Sequence, residues 1–195
     1  MLAAVILSGG ASRRMGSPKA LLPYQGRPFL EHLLAITKHP KIGLRRVVLG
    51  AQADEIAREV RVDPREIVIN DQWEQGQLSS IHAALRSLPP GTDGVLLCPI
   101  DHPLVSAALV SELIADFYAT GAPVVLPSFE RRRGHPVIFS ANVYAELLNA
   151  PMEVGARHVV WAHNKELVEH PTTEEGCIVN LNDPEAFARA TGALE

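Results

Sequence analysis

The sequence predicts a three-layer α/β fold built on a mostly parallel sheet. Three observations carry that expectation. Short, β-branched-rich apolar runs recur at residues 3–7, 47–49, 67–69, 95–97, 124–126, 137–139 and 178–181. Continuous runs of this kind suit strands covered on both faces. Segments of helical period lie between the runs. The strand–helix alternation holds through four repeats, and right-handed crossovers then make the strands parallel neighbours with helices on both faces.

The elements follow in order. The first strand, at 3–7, ends in a glycine-rich loop. Pro28 suits the first position of a helix whose Phe29, Leu30, Leu33, Leu34 and Thr37 share one side. Residues 54–60 form a shorter candidate. Ser79 or Ser80 suits the cap of a helix carrying Ile81, Ala84, Leu85 and Leu88. Ser106 suits the cap of the strongest helix, with Leu109, Val110, Leu113, Ile114 and Phe117, and Gly121 is placed to stop it. Residues 142–149 and 155–163 complete the helices. After Leu126 the alternation weakens, and residues 131–134 with 137–139 suit a hairpin or an added strand. Ligands of open parallel sheets bind outside the carboxyl ends of the strands. The loops after Leu7, Leu49, Ile69 and Leu97 are therefore where a site is expected.

Composition narrows the function. The chain has 195 residues, which suits one domain over 1–195, and 47% hydrophobic with 21% charged residues suits an ordinary globular core. A net charge of −4 argues against a nucleic-acid partner, which needs a basic face. Cys98 and Cys177 form neither a zinc ligand set nor a disulfide framework, and suit a reducing compartment. The apolar run at 2–7 is too short to span a bilayer and has no basic stretch before it. A cytoplasmic protein working off the membrane is expected.

The loop after the first strand reads Ser8-Gly9-Gly10-Ala11-Ser12-Arg13-Arg14-Met15-Gly16-Ser17-Pro18-Lys19. It is neither a Walker A loop nor the GxGxxG dinucleotide fingerprint. Gly9, Gly10 and Gly16 let backbone N–H groups approach an anion, and Arg13, Arg14 and Lys19 concentrate cations beside them. In an acidic protein this suits a small polyphosphate. Asp101 leaves the end of the fourth strand as a hard oxygen donor, suited to Mg²⁺. Helix capping there falls to Ser106. Trp73 suits the core.

The stretch 7–19, continuing into Ala20-Leu21-Leu22, resembles the signature of the MobA-like NTP transferases, roughly Leu-Ala-(Ala/Gly)-Gly-x-Ser-x-Arg-Met-Gly-x-(Pro/Asp)-Lys. Only Ser8 departs from it noticeably, and later segments match in order over nearly the whole chain. The resemblance implies the Rossmann-like nucleotide-diphospho-sugar transferase fold. In particular it implies the branch that attaches a nucleotide to the phosphate of molybdenum cofactor. It places nucleotide binding on Leu7, Ser8, Gly9, Gly10, Arg13, Lys19, Asp71, Ser79 and Ser80, with Arg13, Lys19 and Asp101 catalytic. Mg²⁺ is the implied cofactor, on Asp101 and Asn180. Arg133, His135 and Asn182 are the implied contacts of a phosphorylated pterin acceptor.

The nucleotide is harder to choose. Leu7-Ser8-Gly9-Gly10 and the Asn180/Asn182 pair resemble the guanylyltransferase branch. Pro18–Leu22, Gln77–Ser80, Gly134-His135-Pro136 and Gly155-Ala156-Arg157 resemble the cytidylyltransferase branch, so CTP is expected ahead of GTP. The expected reaction is transfer of CMP from CTP with release of pyrophosphate, with a molybdoenzyme as a downstream partner. The alternatives are a guanylyltransferase on the same cofactor, a sugar-phosphate nucleotidyltransferase, and a non-catalytic cofactor-insertion chaperone.

Overall fold

The computed structural model describes residues 1–12, 16–182 and 184–191. Strand β1 (Leu2–Ser8) is buried along its whole length, as an apolar run with no polar face requires. A hairpin of β2 (Pro23–Tyr24) and β3 (Arg27–Pro28) turns on Gln25 and Gly26, both at positive φ. It leads into α1 (Phe29–Ile36), with Pro28 just before the first helical residue. Strand β4 (Ile42–Leu49) runs parallel to β1. Helix α2 (Ala53–Glu59) then leads to β5 (Ile67–Ile69), parallel to the end of β4, and on to α3 (Gln77–Arg86).

Strand β6 (Gly94–Pro99) lies parallel on the other side of β1. Helix α4 (Ala107–Thr120) starts at Ser106, whose Oγ accepts from the Leu109 N–H at 3.0 Å, a cap worth about 1 kcal/mol. It ends at Gly121 with φ 65°, the left-handed cap that glycine adopts most readily. Strand β7 (Val124–Phe129) turns into the short β8 (Arg132–Arg133). Strand β9 (Val137–Ser140) is antiparallel to both β6 and β7. Then come α5 (Tyr144–Asn149), α6 (Arg157–Ala162), β10 (Val168–Pro171), parallel to β7, and α7 (Pro184–Thr191).

The sheet order is β10-β7-β9-β6-β1-β4-β5, with β8 beside β7. Alternation along β1 divides the core. Leu2, Ala4 and Ile6 face α1 and α4, while Ala3, Val5 and Leu7 face α3 and α5. This is the expected three-layer α/β fold with a mostly parallel sheet.

Several boundaries differ from the sequence expectation. Residues 178–181 are not a strand; the final strand of the sheet is β10, whose Val-Glu-His-Pro alternates half-buried and exposed residues as an edge strand can. Helix α3 starts at Gln77, after Gly76 at φ 97°, so Ser79 and Ser80 lie inside its first turn rather than capping it. The segment 142–149 divides into a 3-10 turn, Ala141–Val143, and α5. Helix α7 is an element the apolar pattern does not announce. Among the described residues, no helix is long and apolar enough to cross a membrane.

Candidate active site

The carboxyl ends of β1 and β6 open into a cleft of about 580 Å³. Its walls come from the loop after β1, from residues 73–80, and from residues 99–101 with Asn182. Leu7 and Gly9 line it, while Ser8 points to the other face of the strand and is buried. At Gly9 a Cβ would lie 2.6 Å from Ser80 Oγ, and at Gly50 one would lie 2.6 Å from Trp73 Cβ. The missing side chains let the loop after β1, the end of β4 and the start of α3 pack into one wall. The Lys19 N–H donates to Ser12 Oγ at 3.1 Å, folding the loop back toward the cleft. Buried Ala20 anchors the 3-10 turn Lys19–Leu21 beneath it.

One end of the cleft carries charge. Lys19 Nζ lies 3.8 Å from Asp101 Oδ2 and donates to Asn182 Oδ1. The Lys19 and Asp101 side chains are only 13% and 20% exposed, so solvent and salt screen the pair weakly. Strand β6 delivers Asp101, with the Ile100 N–H bonded to the Leu7 carbonyl at 3.1 Å. The Asp101 carbonyl in turn accepts from the Leu181 N–H at 2.9 Å. Leu181 is fully buried, and pinning it sets Asn182 against Lys19. A carboxylate and an amide oxygen thus converge on one cation position. That pair suits Mg²⁺, which takes one or two protein oxygens and keeps several waters. Among the described residues, no group of three or more His, Cys, Asp or Glu is placed to hold a metal by itself.

Behind Asp101 stands an uncharged wall. Asp101 Oδ1 is 4.0 Å from His102 Nε2, and the His102 ring tilts against His135 with centroids 4.7 Å apart. Burial pushes the His102 imidazole below its ordinary pKa. Burial, and next the neighbouring His102, push His135 down to about 4. The Nδ1 atoms of both rings are buried without a partner. The His135 N–H bonds the Cys177 carbonyl at 2.8 Å, and Gly134 packs so tightly there that a Cβ would lie 2.8 Å from the Cys177 carbonyl carbon.

Of the residues expected in the site, Leu7, Gly9, Gly10, Lys19, Ser80, Asp101 and Asn182 line the cleft together. The remaining expected residues are placed elsewhere or lie outside the described residues. Ser8 is turned away by strand alternation. Asp71 is exposed in the turn after β5, outside the lining. Ser79 Oγ donates to the Gly76 carbonyl and accepts from Asn70 Nδ2 at 2.9 Å, facing the helix start rather than the cleft. Asn180 is exposed; its neighbour Leu181 takes the buried position, and Asn182 rather than Asn180 accepts from Lys19 Nζ. Arg133 sits on β8, bonded to Glu169 Oε1 at 2.6 Å and Asn164 Oδ1 at 2.6 Å. His135, its pKa pushed down by burial, packs against His102 behind Asp101. Arg13, with Arg14 and Asp183, lies outside the described residues. Ser12, Trp73, Glu74 and Gln77 also line the cleft. Trp73 is half-buried and forms wall rather than core. The last three follow β5, one of the loops where a site was to be sought.

The model of the MobA-like NTP transferase domain family matches residues 4–167. A nicotine blue oxidoreductase of Paenarthrobacter nicotinovorans is 31% identical over 154 residues, 71% of each chain. A molybdenum cofactor guanylyltransferase of Cereibacter sphaeroides is 30% identical over 200 residues, 97% of this chain and 95% of that one. The crystal structure of Rv0371c from Mycobacterium tuberculosis H37Rv superposes with a TM-score of 0.84 at 23% identity, covering 98% of this chain and 97% of that one. A manganese complex of the same protein superposes with a TM-score of 0.80 at 22% identity, covering 98% and 97%.

Proposed function

We infer that this chain, which belongs to the MobA-like NTP transferase family, transfers GMP from GTP to the phosphate of molybdenum cofactor and releases pyrophosphate. The observation that carries the reading is the convergence of Lys19, Asp101 and Asn182, from three distant segments, at one end of the cleft. Choosing GTP departs from the sequence expectation of CTP. The cytidylyl pattern Leu-Ala-Ala-Gly would put alanine at position 9, where a Cβ would meet Ser80 Oγ at 2.6 Å. The guanylyl pattern puts glycine there, as this chain does. The relative that matches along nearly its full length also carries the guanylyltransferase name.

The chemistry asks for placement and charge. An oxygen of the acceptor phosphate attacks the α-phosphorus of GTP, and the bond from that phosphorus to the β-phosphate oxygen breaks. The leaving pyrophosphate takes the electron pair. The acceptor is already an anion at neutral pH, so the chain needs no general base. Gly9 and Gly10 let the backbone approach the nucleotide. The Lys19 ammonium stabilises charge gathering on the phosphates, in the manner of other phosphoryl-type transfers. Asp101 and Asn182 would hold a divalent ion, which supplies charge neutralisation at the phosphate oxygens.

The test is incubation with molybdenum cofactor, Mg²⁺ and each NTP in turn. The expected outcome is pyrophosphate release and a guanine dinucleotide product by mass spectrometry. A cytosine product would return the specificity to CTP, and no product with any NTP would contradict transfer. One relative's name favours a second reading, an oxidoreductase. It predicts acceptor-dependent oxidation of NADH or NADPH in the same samples.

A further inference from the structure

We propose that Lys19 is a built-in counter-ion of Asp101, which excludes a divalent cation from the cleft until a nucleotide enters with it. The proposal rests on reading the cleft as a metal–nucleotide site. A divalent ion held by this carboxylate and this amide would use the same two oxygens that Lys19 faces. Lys19 Nζ already contacts Asn182 Oδ1 and lies 3.8 Å from Asp101 Oδ2. Ion and ammonium cannot share that place.

Charge gives the same answer. Among the described residues the Lys19 ammonium faces the Asp101 carboxylate, and the second oxygen donor, Asn182, is an uncharged amide. A lone divalent ion must displace a like-charged ammonium from a pair that solvent screens weakly. An incoming polyphosphate changes both conditions. It brings several negative charges, and it offers anionic oxygens to which the ammonium can turn. The turn is short, because the Lys19 backbone is already fixed by Ser12 and by buried Ala20, leaving only the side chain to move. Metal and nucleotide binding are then coupled, each favouring the other equally.

The probe is Mn²⁺, followed by electron paramagnetic resonance of the free ion with the full chain. Without nucleotide, Lys19→Met is expected to bind Mn²⁺ at least about tenfold more tightly than the unaltered protein. Lys19→Arg, which keeps the charge, should resemble the unaltered protein. Adding Asp101→Ala to Lys19→Met should abolish the gain. GTP should tighten Mn²⁺ binding by the unaltered protein at least about tenfold, and much less in Lys19→Met. Lys19→Gln serves as the second neutral variant, and thermal melts check the fold of each. Equal Mn²⁺ affinity in Lys19→Met, Lys19→Gln and the unaltered protein overturns the proposal, whatever GTP does. GTP failing to bind at any metal concentration overturns the transferase reading separately.

Discussion

Two segments of this chain set arginine or lysine beside glycine after a strand, and they end in opposite circumstances. The loop after β1 carries Lys19 into a cleft, where it faces Asp101 and Asn182. Strand β8 carries Arg133 to a surface where Glu169 and Asn164 bind it, and the turn to β9 buries His135 against His102. The loop after β1 leaves the carboxyl end of a central parallel strand, where neighbouring strand ends leave an opening. The second segment precedes an antiparallel strand threaded between β6 and β7, whose start is packed under the cleft. Position in the sheet, more than local composition, decides which cation can meet a ligand.

The largest effects should fall on the first region alone. Asp101→Ala and Lys19→Ala are each expected to lower turnover by about 10²–10³, the size of losing one preorganised charge-stabilising group. Arg133→Ala should leave turnover within about threefold, since its ion pair is a surface one. Steady-state rates decide this. A loss at Arg133 as large as that at Lys19 would erase the contrast.

His135 should report on stability rather than on turnover. Its folded pKa is depressed to about 4, so the unfolded chain binds more protons between about pH 6.5 and 4. Its contribution is full above pH 6.5 and lost as pH falls toward 4, by up to roughly 3 kcal/mol. Urea unfolding across that range should show the slope, and His135→Gln should flatten it. An unchanged slope in the variant would show that the ring is not held neutral.

A smaller effect tests the close packing in the cleft wall. Gly9→Ala should destabilise the protein by about 1–3 kcal/mol through overpacking against Ser80 Oγ. Ser80→Ala should relieve it, because the Ser80 Cβ is at an ordinary 3.8 Å. A double-mutant cycle with additive effects would mean the two positions do not meet. The smallest effect should come from Glu169→Ala, at most about 1 kcal/mol and less at high salt.

Much of this was legible in the chain. The central strands and α4 followed from apolar runs and from the Ser106 and Gly121 caps, because buried strands and capped helices are fixed by local chemistry. Lys19 and Asp101 were legible because strand ends of a parallel sheet share one edge. What was not legible depends on burial and register. Asn180 and Asn182 differ by which side of Leu181 they fall on, and only the packing of Leu181 decides it. Ser79 and Ser80, given the same roles by the sequence, part because α3 starts two residues before Ser79 and leaves only Ser80 in the cleft lining. Arg133 and His135 needed knowledge of Glu169 and His102, which lie 36 and 33 positions away.

The most direct measurement is thermal and chemical stability with GTP or CTP, each with and without Mg²⁺, in the unaltered protein, Asp101→Ala and Arg133→Ala. A ligand at a hundred times its dissociation constant adds about 2.7 kcal/mol. Mg²⁺-dependent stabilisation by GTP is expected, kept in Arg133→Ala and lost in Asp101→Ala. Stabilisation that ignores Mg²⁺, or that survives Asp101→Ala, would contradict it.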